Sequence, residues 1–434
     1  MKQHQKPSNI ILVNLVSTFL LLAISFDVFA QGQLGTQSGG SSGLQISSDF
    51  PGGSAKVESL DAATQTVQIT PAGDPDRGWP CWWYFRLNGV DTSKPVVLEV
   101  IGNESLEPTD KPGQRKKLSA LWSLPMQASF STDGVTWEHT EKGARQGNEM
   151  TYYISTTSPT LWLAWGPPFT LDDANKLVQS ACKQCPYATS FELAKSTHGR
   201  SVPGLRISEP GAAGAKRFSV WVQSRTHAWE SGASWVTRGF VDWLVSNDSA
   251  AEDLRQKADI VIIPIMDVDS VEAGQGGKNQ VPHDHNRDWG DNPHWPEVRA
   301  AMERLNSLIH AGHLDLFLDL HNSGPGNRTI SIYIPAKPLL TQVRIENENT
   351  FMTIMREQIT GSISFIGTLG PDGDTYDPAV DKSCDSWVAH LTKPDVVSLT
   401  FETPWNTPGS TQTGYLKVGE QMGRCIDQYL EPIP

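Results

Sequence analysis

Apolar positions fall into two textures along this chain, and the change comes near Pro167-Pro168. From about residue 46 to 168, apolar and polar residues alternate in short segments such as "TQTVQITP", "CWWYFRLNGV", "PVVLEVIG", "MTYYISTT" and "TLWLAWGP". Alternation puts every second side chain on one face of a strand, and turn residues separate the segments at close intervals. The pattern predicts a small antiparallel β-sandwich. Beyond it the strands become nearly continuous apolar runs: "RFSVWVQS", "ADIVIIPIM", "LDLFLDLH", "TISIYIP" and "VVSLTFE". Between them lie helical periods, for example Val298, Met302, Leu305 and Ile309. Thr170, with Asp172 and Asp173 in the following turn, predicts a capped helix starting at Leu171. Residues 169–434 therefore read as an α/β domain with a mixed, mostly parallel central sheet covered by helices on both faces. In such sheets ligands bind beyond the carboxyl ends of the strands.

The first residues follow neither texture. Lys2 and Lys6 precede the apolar stretch "IILVNLVSTFLLLAISF", and Val28-Phe29-Ala30 comes before a polar segment. This is the layout of a signal peptide over 1–30, cleaved after Ala30, with a retained anchor as the alternative. It predicts an exported, periplasmic or extracellular protein. A flexible Gly/Ser/Gln-rich linker is expected over 31–45. Asp and Glu outnumber Lys and Arg by 48 to 35, which argues against nucleic acid and anionic membranes as partners. Five cysteines are an odd number for an exported chain, and Cys182 and Cys185 are expected to form a local disulfide, with a redox motif as the alternative. Cys384 is expected to stay a free thiol.

Three of the apolar strands run into a residue able to act on a metal. They lead to His227, His321 and Glu402, separated by 94 and 81 positions, so any convergence must come from the sheet. A catalytic zinc takes three nitrogen or carboxylate ligands and keeps one position open. His227, Glu230 and His321 supply such a set, and Glu402 remains a carboxylate free to take a proton from water. Each has a plain alternative: His321 could cap its strand, Glu402 could be salt-bridged, and Glu230 could sit in a solvated helical turn. In "VPHDHNRDWGDNPHW", Arg287 beside Asn286 has the chemistry of a carboxylate receptor, since a guanidinium binds carboxylate through two parallel hydrogen bonds. The alternative there is a structural arginine paired with Asp284, Asp288 or Asp291. His283 and His285 form an H-x-H that could itself hold a metal.

Taken together, His227-Ala-Trp-Glu230, Asp284-His-Asn286-Arg287, "LDLH" at His321 and "LTFE" at Glu402 resemble, in order and spacing, the motifs of the zinc carboxypeptidases. The nearest branch of that funnelin metallocarboxypeptidase family is the cytosolic-carboxypeptidase-like one, with its N-terminal β-sandwich. "PPFTLDD" is similar to that branch's junction between domains, and the similarity covers most of residues 80–430. The resemblance implies a hydrolase that removes C-terminal amino acids from peptides with one Zn2+ per chain. His227, Glu230 and His321 would bind the metal, Glu402 would be general base, and Asn286 and Arg287 would grip the substrate's free carboxylate. Asp284 would orient His227 from outside the ligand set. The family's oxyanion-stabilising arginine has no arginine counterpart, and Lys278 is the nearest candidate. Tyr376 stands near where a mobile substrate-binding tyrosine is expected, and Asp385 near where side-chain preference is set.

Two other functions fit the same residues. A zinc amidase or deacylase acting on peptidoglycan stem peptides or N-acyl amino acids would use the same chemistry. A catalytically inactive binding protein would use the sandwich instead. The sandwich itself is expected to shape one wall of the cleft rather than bind a partner.

Overall fold

The computed structural model describes residues 43–103, 105–108, 115–211, 217–335, 337–371 and 382–431. The expected signal peptide, most of the expected linker and Tyr376 lie outside the described residues. The N-terminal region is a pair of five-stranded sheets that face one another. One runs Gln45–Ser47, Tyr84–Asn88, Thr160–Ala164, Ser129–Ser131, Glu138–His139, and all its pairs are antiparallel. The other runs Ala144–Gln146, Glu149–Ile154, Val96–Ile101, Thr66–Thr70, Lys56–Asp61. The sandwich is antiparallel as expected except at one pair, where Thr66–Thr70 runs parallel with Val96–Ile101. The alternation does its work in both sheets: Phe85 and Leu87, with Leu161 and Leu163, are fully buried in the first, and Val67 and Ile69, with Val96, Leu98 and Val100, in the second.

The C-terminal region is built on an eight-stranded sheet. Its order is Ala188–Lys195, Ser201–Ile207, Ala258–Ile263, Phe218–Ser224, Leu316–Asn322, Val397–Thr403, Ile330–Ile334, Phe365–Pro371. The four central strands from Ala258–Ile263 to Val397–Thr403 are mutually parallel, and antiparallel pairs bring in the flanking strands on either side. The central strands carry apolar side chains on both faces because both are covered. Helix Leu171–Gln184 opens with the expected cap: Thr170 Oγ1 accepts from the Asp173 amide at 3.4 Å and Asp173 Oδ2 accepts from the Thr170 amide at 2.8 Å. Helix Pro296–His310 buries Val298, Met302 and Leu305.

Helix Ser231–Leu244 is buried nearly all round and packs along Gln412–Tyr429. The two backbones meet at glycines. A Cβ on Gly239 would lie 2.1 Å from the Leu416 carbonyl oxygen, and one on Gly419 would lie 2.0 Å from that of Val236. This approach seats the helix that begins immediately after Glu230.

The sandwich and the α/β domain share apolar packing. Trp229 and Trp405, from the α/β domain, are buried in the sandwich's core cluster. Trp165 lies 4.2 Å from Trp405, ring centre to ring centre, and meets Trp229 edge-on at 5.3 Å. All the described residues accordingly fall within one compact unit. Among the described residues no helix is long and apolar enough to cross a membrane.

All five cysteines are free thiols, which overturns the expected Cys182–Cys185 disulfide. Cys182 sits partly buried on the last turn of helix Leu171–Gln184, while Cys185 follows that helix with its side chain in the main core. Their side chains serve packing.

Candidate active site

The parallel register does what chain proximity cannot. His321 and Glu402 are direct partners on the adjacent strands Leu316–Asn322 and Val397–Thr403. Facing residues on paired strands share a side of the sheet, so the imidazole and the carboxylate reach the same cleft. His227 arrives from the next strand over. Phe218–Ser224 ends three residues before it, and Arg225 then takes a left-handed φ of 61°. The fully buried Arg225 guanidinium binds the carbonyls of Phe169 and Ala228, which holds this tight turn in place. Burial lowers the Arg225 pKa to about 9, against the pull of Glu230 and Asp267. Glu230 follows at the N-terminal edge of helix Ser231–Leu244.

His227, Glu230 and His321 form a buried cluster whose ligand atoms all lie within 4.8 Å of one another. Glu230 bridges the two rings, with Oε1 3.0 Å from His227 Nδ1 and Oε2 2.8 Å from His321 Nδ1. Burial works against the Glu230 charge, but His321 and His227 more than offset it and lower its pKa to about 2. Both Nδ1 atoms face the carboxylate, so both Nε2 atoms are left for outer partners. His227 Nε2 lies 3.5 Å from Asp284 Oδ1, where the sequence placed it, and 3.4 Å from Lys278 Nζ. His321 Nε2 lies 2.7 Å from Asp319 Oδ2, which the sequence reading missed. Asp319 is fully buried and also accepts from the Cys384 thiol at 2.8 Å and the Thr226 hydroxyl at 3.3 Å. Two imidazoles and a carboxylate, each imidazole backed by a carboxylate, fit the donor set of a catalytic zinc.

Around the cluster lies a cleft of about 320 Å3. It is lined by Lys278, Asn286, Arg287 and Glu402, and also by Tyr333 and Thr400. Thr400 stands two residues before Glu402 on the same strand and therefore on the same face. Asn286 and Arg287 sit in the short turn His285–Arg287, where Asn286 Oδ1 accepts from the Cys384 amide at 3.2 Å. The Arg287 side chain donates to the Asn286 carbonyl at 2.8 Å. Trp79 and Trp122 from the sandwich close the cleft's outer side, their rings 4.7 Å apart. The expectation that the sandwich shapes one wall matches this arrangement.

Two sequence readings are corrected here. Asp385 does not line this cleft. It is fully buried in the first turn of helix Cys384–Leu391, where the Ser383 hydroxyl donates to it at 2.6 Å. The H-x-H pair does not converge on a metal either. His283 Nε2 lies 2.5 Å from Asp288, while His285 is buried between Glu297 at 2.6 Å and Asp267 at 3.5 Å.

Comparison with known proteins adds to this geometry. Residues 175–324 match the profile described as zinc carboxypeptidase, and residues 46–165 match that of the cytosolic carboxypeptidase N-terminal domain. Over these two stretches the chain is similar to the zinc carboxypeptidases. An uncharacterised protein of Zymomonas mobilis is 26% identical to this chain over 281 residues, covering 64% of this chain and 67% of that one. Human cytosolic carboxypeptidase 2 is 25% identical over 276 residues, covering 57% of this chain. The match spans only 29% of the human protein's length. In fold, the chain is similar to a metallo-carboxypeptidase from Burkholderia cenocepacia, with a TM-score of 0.75, 22% identity, and coverage of 90% and 99% of the two chains. A metallo-carboxypeptidase from Pseudomonas aeruginosa, in complex with (2-guanidinoethylmercapto)succinic acid, gives a TM-score of 0.70 at 18% identity, covering 88% of this chain and 98% of that one.

Proposed function

We propose that this protein is an exported zinc metallocarboxypeptidase that removes single residues from the C-terminus of peptides. The observation that carries the reading is the in-register pair His321 and Glu402 beside His227 and Glu230, in one cleft with Asn286 and Arg287. His227, Glu230 and His321 would hold the zinc, which when bound would supply a Lewis acid for the scissile carbonyl and for water. Arg287 and Asn286 receive the substrate's terminal carboxylate and so set which peptide bond reaches the cluster. Glu402 takes a proton from water as its oxygen adds to the carbonyl carbon. It then returns that proton to the nitrogen as the C–N bond breaks, leaving a free amino acid and a shortened peptide. Lys278, in the same cleft, places a second positive charge where the carbonyl oxygen gains negative charge. A structure of similar fold holds a substituted succinic acid, and such a carboxylate-bearing ligand suits the Arg287 side of this cleft. The N-terminal apolar segment supports export.

The test is incubation of the zinc-loaded mature chain with peptides varied at the last residue, and with muropeptides alongside. Mass spectrometry should show loss of one C-terminal residue by the wild type. Glu402→Gln should bind zinc normally and turn over about 10²- to 10⁴-fold more slowly. A Glu402→Gln protein with wild-type turnover would remove Glu402 from the mechanism. Cleavage of muropeptides alone would redirect the substrate to the cell wall.

A further inference from the structure

Lys278, Asp284, Asn286 and Arg287 all depend on one irregular loop that contains no long helix or strand. That loop is gripped from outside its own domain. Segment 74–79 of the sandwich runs against it and bonds it at five points. Asp74 Oδ1 accepts from the Gly276 amide at 2.6 Å, and the Trp79 amide donates to the Lys278 carbonyl at 3.1 Å. Arg77 makes the other three: Nε donates to the Asn279 carbonyl at 2.8 Å, and Nη2 donates to the carbonyls of Gln280 at 2.8 Å and Pro282 at 2.9 Å. The Lys278 ammonium lies 5.3 Å from the centre of the Trp79 ring.

The peptide at Asn279 links this grip to the metal cluster. Asn279 holds a left-handed φ of 58°, an uncommon conformation for a residue with a side chain, and one that neighbouring contacts must enforce. Its carbonyl receives the Arg77 guanidinium, while its amide donates to Asp284 Oδ2 at 2.9 Å. Asp284 in turn faces His227 Nε2 through its other oxygen, at 3.5 Å. Arg77, Asn279, Asp284 and His227 thus form a continuous series from the sandwich to a metal ligand. We propose that Arg77 is a positioning residue of the active site, holding the 276–282 backbone so that Asp284 orients His227 and Lys278 faces the cleft. In this view the sandwich completes the catalytic centre, and its role extends beyond forming a wall.

The experiment compares Arg77→Ala and Arg77→Lys in the full chain with Arg145→Ala, an exposed sandwich arginine whose side chain bonds the Gly147 carbonyl in its own hairpin. The first readout is zinc affinity by competition with a chelator, which needs no substrate. Outer partners of metal-bound histidine are worth about 10- to 100-fold in affinity, and Arg77→Ala acts one step further out, so about tenfold weaker binding is expected. Arg77→Lys should lie between Ala and wild type, and Arg145→Ala should match wild type. In the double variant with Asp284→Asn, Arg77→Ala should add little to the loss from Asp284→Asn alone, because both act along one path. Wild-type zinc affinity in Arg77→Ala would overturn the proposal, as would a loss that simply adds to that of Asp284→Asn or recurs in Arg145→Ala. If Arg77→Ala does not fold, wild-type affinity in Arg77→Lys would overturn it. A fall in kcat larger than the rise in KM is the matching kinetic signature, and it rests on the carboxypeptidase reading. A wild type that binds zinc but cleaves no peptide defeats that reading, while the zinc measurements still decide the role of Arg77.

Discussion

Asp319 and Asp385 show how differently two acids near the same cleft can be placed. Asp319 stands two residues before His321 in "LDLH", and a strand's two-residue period puts both side chains on one face. The signal was therefore present in the sequence, one position inside a motif already singled out for its histidine. Its partners were not legible, because the Cys384 thiol reaches it from 65 residues away. Replacing Asp319 with Asn keeps the shape and removes the charge that steadies the His321 ring. Zinc affinity by chelator competition should fall about 10- to 100-fold, with the fold intact by circular dichroism. Unchanged affinity would mean that the strand alone orients His321. Asp385 follows helical geometry, so its distance in sequence from Trp387 said nothing about where it points.

The loop from Gly274 to Arg287 shows how an irregular element is held at its buried side. His285 lies between Glu297 and Asp267, accompanied by Gln280 Nε2 at 3.0 Å and stacked 4.7 Å from the Trp295 ring. Burial disfavours the imidazolium, but Asp267 and Glu297 outweigh it and raise the His285 pKa to about 9. The unfolded value is about 6.5. A base whose folded pKa lies above its unfolded one adds stability in full below the unfolded value and loses it as pH rises through the folded one. The His285 contribution should therefore be complete below pH ~6.5 and gone above about pH 9. Urea midpoints measured across that window should fall in the wild type and be flatter in His285→Gln. Equal slopes would mean that His285 is neutral in the folded protein. The sequence offered only an H-x-H spacing here, and that spacing pointed towards a metal. What sends His285 inward is Glu297 in the first turn of the next helix, a contact that no local pattern announces.

At the scale of the molecule, the tryptophans join what the sequence divided. A change in texture near residue 168 separated sandwich from α/β sheet, yet Trp165, Trp229 and Trp405 pack into one cluster across it. Trp165 is nearly fully buried, and its Nε1 donates to the Trp122 carbonyl at 2.8 Å. Trp165→Ala should cost about 3–5 kcal/mol by leaving a cavity between the sandwich and the α/β domain. Calorimetry of the wild type should show one unfolding transition, and this variant should separate it into two or lower it as a whole. A wild type that unfolds in two steps would show that the shared cluster does not couple them.

Local pattern carries what depends on near neighbours. Period-two alternation and continuous apolar runs identified the two architectures, and Thr170 with Asp173 marked a helix start. The four motifs named the residues of the cluster because strand ends in a parallel sheet face a common crevice. The remainder depended on contacts between positions far apart in the chain. The parallel pair inside the sandwich, the inward turn of His285, the burial of Asp385, the free thiols and the grip of Arg77 on the catalytic loop are all of this kind. Each is decided by which backbone groups and side chains meet once two sheets have packed together, and one residue's neighbours in sequence do not contain that information.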